Sequence, residues 1–141
     1  MQNKRMSIVN IYIHLVFSTK KRAPLLTKSI RKEVLMHIKM NAKKWGVEID
    51  YANGYYDHIH CLLKLPSTMN MADTAQVIKG ESSRWINMLE LTPSYFQWQD
   101  DYFAESIAER DLERVRNYIK NQEEHHKDLA FEREMEMLSK L

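Results

Sequence analysis

Two histidines separated by one residue, His58-Ile59-His60, are the first residues of this chain whose types and spacing suit chemistry. On a strand, residues two apart project from the same face, so two imidazoles can hold one cation. The same pattern also suits two surface histidines. Further along, Tyr118 and Gln122 stand four apart, which makes them stacked neighbours on a helix. Two imidazoles and an amide oxygen leave open positions on a divalent ion such as Mg²⁺ or Mn²⁺. A phenol beside such an ion is a nucleophile for a phosphodiester. The ion draws charge from a phosphate oxygen and steadies the departing 3′-oxygen while the phenolate attacks phosphorus. Tyrosine needs that help, because its free pKa is about 10. The covalent product keeps the phosphodiester energy, so the chemistry is cut and rejoin rather than hydrolysis. Read blandly, Tyr118 is one more apolar contact and Gln122 a boundary polar residue.

The elements around these residues decide whether they meet. Ser7 to Thr19 reads as a strand, with Val9, Ile11, Ile13, Leu15 and Phe17 on an apolar face. Asn10, Tyr12, His14 and Ser18 lie on the other. A basic turn, broken at Pro24, leads to Thr27 as the N-cap of a helix from about Lys28 to Trp45, stopped by Gly46. Val47 to Tyr56 and His58 to Leu65 read as two further strands. In the latter, Ile59, Cys61, Leu63 and Leu65 take the core phase, so His58 and His60 face away from it. A helix from about Asn70 to Leu91, an aromatic loop (Tyr95 to Tyr102) and a short strand at Phe103 to Ile107 follow. Glu109 to about His126 is a third helix, and Asp128 to Leu141 a charged helical tail.

This order, β-α-β-β-α-β plus a helix, predicts an α+β, ferredoxin-like antiparallel sheet with two helices on one face. Strands one and three then lie in the middle, and Tyr12 and His14 neighbour the histidine pair on the open face. The added helix has an apolar stripe of Leu112, Val115 and Ile119 that needs somewhere to pack. The open face is available, and packing there brings Tyr118 and Gln122 towards His58 and His60.

Composition bounds the rest. With 141 residues, 44% of them apolar and only six Gly plus Pro, the chain suits one domain over residues 1–141, with a core at about 7–127. No apolar run is long enough to span a membrane, and MQNKRMSIVN lacks the apolar region of a signal peptide, which predicts a cytoplasmic protein. A single cysteine, Cys61, excludes a disulfide framework and a multi-thiolate zinc site. The formal net charge of +2 averages two unlike parts. Residues 1–44 carry eleven Lys/Arg against one acid, and residues 45–141 carry ten against eighteen. The cationic first third predicts grip on phosphates through Lys20, Lys21, Arg22, Lys28 and Arg31, joined by Lys79 and Arg84 on the second helix. Tyr95, Phe96, Trp98 and Trp85 are aromatic enough to stack on unpaired bases, or to serve as core and lid packing.

HLVFSTKKR, YYDHIHCLL, IKGESSRWIN, WQDDYF and VRNYIKNQEEHH, in this order, resemble the single-tyrosine HUH transposases. This is the insertion-sequence-200-like family, which includes the domesticated REP-associated tyrosine transposases. The resemblance covers roughly residues 8–127. It implies a metal-dependent enzyme that binds single-stranded DNA hairpins and cleaves beside them, forming a 5′-phosphotyrosine and a free 3′-hydroxyl. It assigns Tyr118 as nucleophile, His58 and His60 as the metal-binding pair, and Gln122 as third ligand. It also implies a homodimer in which each tyrosine helix covers the partner's histidine pair. Asp100-Asp101 stands where many relatives carry glycine. His125 and His126 also resemble the family pattern; His126 suits a ligand, a phosphate contact or, as read here, a solvated helix end.

Three rivals differ in what they require. A domesticated relative would process chromosomal repeats by the same chemistry. A non-catalytic module for single-stranded nucleic acid would show aromatic pairs on its central strands, where this chain shows Tyr12 but then His14, His58 and His60. A metal-dependent hydrolase with an incidental tyrosine would want carboxylates near the histidine pair, and Asp57 lies in the opposite strand phase.

Overall fold

The computed structural model describes residues 7–126 and 131–139. Four strands form one antiparallel sheet in the order β2-β3-β1-β4: β1 (Tyr12–Ser18), β2 (Glu48–Tyr55), β3 (His58–Lys64) and β4 (Phe103–Ile107). β1 and β3 are central, paired in the register Val16↔His60 and Ser18↔His58. This is the expected ferredoxin-like arrangement.

Strand alternation separates two apolar layers. Ile13, Leu15 and Phe17 of β1 and Ile59, Cys61 and Leu63 of β3 face α1 (Lys28–Ala42) and α2 (Met71–Met88). Val34, Ile38, Ala75, Ile78 and Ile86 complete that core. On the opposite face, Leu62 meets Leu112, Val115 and Ile119 of α3 (Leu112–Lys120). The amphipathic helix therefore covers the sheet face that the core unit leaves open. A short α4 (Gln122–His125) continues it after Asn121, and α5 (Phe131–Ser139) lies in the expected tail. Of that tail, residues 128–130 and 140–141 lie outside the described residues, as does the 1–6 segment.

Several boundaries differ from the sequence reading for physical reasons. Ser7 to Ile11 alternates like a strand but is not one, because pairing with both neighbours begins at Tyr12, opposite Lys64 and Ile107. The first helix tightens to a 3₁₀ turn at Lys43–Trp45, and Gly46 ends it with a left-handed φ of 77°. Asn70 caps α2 by accepting from the Asp73 N–H at 2.7 Å. The aromatic loop is held inward: Phe96 and Trp98 are core residues, and the Trp98 indole N–H donates to Ser82. Trp85 stacks on His37 with ring centroids 4.0 Å apart. Of the four aromatics offered for base stacking, Tyr95 alone is strongly exposed.

Candidate active site

β3 presents His58 and His60 on the α3 side of the sheet, both fully buried. Gly54 of β2 lies opposite Ile59, and a Cβ there would come within 2.4 Å of the His58 carbonyl. The bare backbone of Gly54 thus lets β2 close against the histidine strand. Each imidazole is oriented through its remote nitrogen. His58 Nδ1 lies 2.8 Å from Asp57 Oδ1, and His60 Nδ1 lies 2.8 Å from His14 Nε2. Both Nε2 atoms are thereby left to converge on one place. Such partners fix tautomer and ring orientation in metal-binding histidines.

The helices bring the remaining groups. Asn53 of β2 donates to the carbonyls of Ile119 and Lys120, both at 3.1 Å, and so fastens the C-terminal end of α3. The Arg116 guanidinium grips both Asp50 oxygens at 2.7 Å. Above the sheet, Tyr118 has its ring centroid 5.8 Å from that of His60, and Gln122 Oε1 lies 3.1 Å from His58 Nε2. The tyrosine helix therefore covers the histidine pair of its own chain, whereas the family resemblance implies that it covers a partner's.

Sequence reasoning did not find Glu134. α5 places this carboxylate, fully buried, 3.1 Å from His58 Nε2 and 3.4 Å from His60 Nε2. It accepts from Gln122 Nε2 at 3.0 Å and from the Tyr118 hydroxyl, and it lies 2.9 Å from His126 Nε2. His126 is accordingly not a solvated helix end: it stacks on Tyr55 and packs against His58. No sequence signal separated Glu134 from its neighbours in FEREMEMLS.

The electrostatics follow from this crowding. Burial pushes His60 down to about 4 and His14 down to about 3, so both are neutral near pH 7. Burial opposes charging of His58 too, but its hydrogen bonds to Asp57 and Glu134 outweigh that and raise its pKa. Burial alone would raise Glu134, yet the surrounding imidazoles hold it far below the carboxylate range. Tyr118 is pushed above the ordinary phenol value by burial and then by the adjacent carboxylate. Among the described residues, His58, His60 and Glu134 form a cluster whose ligand atoms lie within 4.8 Å of one another. Two imidazole nitrogens with fixed tautomers, a carboxylate and an amide oxygen fit a divalent cation.

A model of the family described as "Transposase IS200 like" matches residues 7–122. The chain belongs to the IS200-like transposase family. The fold agrees: a candidate transposase from Deinococcus radiodurans R1 superposes with a TM-score of 0.66 at 22% identity, covering 86% of this transposase and 98% of that chain. A REP-associated tyrosine transposase bound to a REP hairpin gives a TM-score of 0.60 at 19% identity, over 86% and 71%. No curated protein matches the sequence. The family match ends at Gln122, so Glu134 comes from beyond it. Membership implies a DNA-cleaving enzyme. Among the described residues, no helix of this transposase is long and apolar enough to cross a membrane.

The basic residues expected to bind DNA divide into two sets. Lys20, Lys21, Arg22, Lys28 and Arg84 are exposed. Arg31 is buried, which departs from the expectation: it reaches Glu123 at 3.0 Å and the Leu26 carbonyl at 3.2 Å, tying α1 to α4. Lys79 donates to the backbone carbonyls of Gln99, Asp100 and Asp101. It thus fixes the loop that carries Asp100 and Asp101.

Proposed function

We propose that this transposase cleaves and rejoins single-stranded DNA beside a hairpin, with Tyr118 as nucleophile. The Tyr118 oxygen bonds to phosphorus as the bond from phosphorus to the 3′-oxygen breaks. The phenol gives up a proton and the 3′-oxygen takes one, leaving a 5′-phosphotyrosine and a 3′-hydroxyl that can reverse the reaction. His58, His60 and Gln122, with Glu134, are the residues that would hold Mg²⁺ or Mn²⁺. When bound, such an ion offsets charge on the phosphate and favours the ionised phenol. Asp57 and His14 keep both imidazole Nε2 atoms aimed at the site, and Lys20, Lys21, Arg22, Lys28 and Arg84 grip phosphates. The observation that carries this reading is the meeting of Tyr118, Gln122 and the histidine pair above β3 within one chain.

The test incubates the protein with hairpin-bearing single-stranded oligonucleotides and Mn²⁺ and seeks a denaturation-resistant protein–DNA adduct. The adduct should form with the native chain, fail with Tyr118→Phe and be suppressed by EDTA. An adduct that survives Tyr118→Phe would make the nucleophile assignment wrong. Processing of chromosomal repeats by a domesticated enzyme would use the same chemistry.

Glu134 favours one second reading, because it is the carboxylate ligand that a metal-dependent hydrolase requires. Hydrolysis by water would persist in Tyr118→Phe without any adduct.

A further inference from the structure

We propose that a cavity beside the histidine pair receives one unpaired nucleotide of the DNA strand that carries the scissile phosphate. It lies between β1, β4, the Lys20–Arg22 turn and α5, and its volume is about 780 Å³. That falls within the ~300–1,000 Å³ typical of pockets for small ligands. Tyr102, Phe103 and Phe131 supply aromatic faces, Met135 an adaptable apolar wall, and Lys21 and Arg22 a cationic rim.

Three features point to a nucleotide. The cavity is continuous with the candidate active site: Phe103 meets His14 edge-on at 6.1 Å, and the Phe131 ring lies 4.5 Å from that of His58. A strand whose phosphate is beside Tyr118 therefore has its neighbouring base here. Aromatic rings stack on any base face, which suits an unpaired base. Lys21 is exposed in the same lining and suits the phosphate of such a strand.

The rim is shaped rather than incidental. Lys21 and Arg22 both adopt left-handed φ values, 56° and 53°, which are uncommon for residues other than glycine. Thr19 Oγ1 donates to the Ala23 carbonyl at 2.8 Å, and the Lys21 N–H donates to Gln99 Oε1 at 3.2 Å, so the turn is held from both sides. The inference rests on the proposed function in taking single-stranded DNA as substrate.

The experiment uses full-length Tyr118→Phe protein with single-stranded oligonucleotides carrying 5-iodouracil at successive positions. Photo-cross-links are mapped by mass spectrometry. They should fall on peptides holding Tyr102, Phe103 or Phe131, and Phe131→Ala should weaken oligonucleotide binding about tenfold. Lys21→Glu, a change on the exposed rim, should also weaken it and guards against a folding defect in the first variant. Cross-links mapping elsewhere, or native affinity in both variants, would overturn the proposal. Cavity cross-links with no Tyr118 adduct in the native chain would sink the phosphotyrosine reading alone. An adduct without cavity cross-links would sink the cavity alone.

Discussion

The Tyr118 hydroxyl donates a hydrogen bond to Glu134, a residue sixteen positions further along the chain and on a different helix. The same carboxylate faces His58, His60, Gln122 and His126. The phenol is thus held protonated next to an anion, in an arrangement that orients it without activating it. Activation requires positive charge at the same place, which the converging imidazole Nε2 atoms and carboxylate are suited to bind.

Glu134 should therefore matter for metal binding more than for the fold. Glu134→Ala is expected to weaken Mn²⁺ binding tenfold or more by calorimetry, since it removes the one anionic donor of the cluster. Stability should fall by only about 1–3 kcal/mol, the cost of leaving buried partners of the carboxylate unsatisfied. Unchanged Mn²⁺ affinity would remove Glu134 from the ligand set.

The buried histidines make the metal-free protein sensitive to acid. His14 and His60 have folded pKa values below 6.5, so the unfolded chain binds protons that the folded chain refuses. Their penalty is absent above about pH 6.5 and grows as pH falls towards about 4. His14 and His60 share one hydrogen bond, so they titrate as a coupled pair rather than as two independent groups. His58 acts in the other direction: its stabilisation is present below about pH 6.5 and lost as pH rises through its raised pKa. The strongly buried His14–His60 pair sets the expected sign, so Tm should drop between about pH 7.5 and pH 5. His14→Gln, which does not titrate, should flatten that slope. A Tm independent of pH over this range would contradict the assigned protonation states.

Much of this was legible in the chain because strand alternation is strict. The apolar phase of Ile59, Cys61 and Leu63 forced His58 and His60 to the other face, and the stripe of Leu112, Val115 and Ile119 had only that face to cover. Other features depended on the fold as a whole. Glu134 sits among alternating acids and methionines, where every turn looks solvated until α5 packs over the site. Arg31 belongs to a basic run, and only the approach of Glu123 makes it a buried tie. Asn53 is one polar residue on an edge strand until α3 ends above it. The Ser7 to Ile11 alternation failed because a strand also needs partners, and both neighbours stop pairing at Tyr12.

Whether the catalytic unit is one chain or two can be decided by mixing inactive proteins. His58→Ala/His60→Ala retains the tyrosine helix, and Tyr118→Phe retains the histidine pair. If each site is built within one chain, as the 3.1 Å approach of Gln122 to His58 favours, the mixture should form no adduct. If helices exchange between copies, the mixture should recover a fraction of native adduct formation. Gel filtration at low micromolar concentration supplies the oligomeric state independently.

The position of Tyr118 should depend on apolar packing and on Asn53 more than on the visible ion pair. Ile119 is fully buried against the sheet, so Ile119→Ala is expected to cost about 2–5 kcal/mol. The Arg116–Asp50 pair is solvent-screened on both sides, so Arg116→Ala should change stability far less than Ile119→Ala does. Asn53→Ala releases two carbonyls at the end of α3, one residue beyond Tyr118 and the next. Loss of that tie lets the last turn fray, and small displacements of a reacting group cost rate steeply. Asn53→Ala should therefore slow adduct formation by tenfold or more at saturating oligonucleotide while leaving Kd for the hairpin unchanged. A variant that loses binding and rate together would indicate a general unfolding of the face rather than a displaced nucleophile.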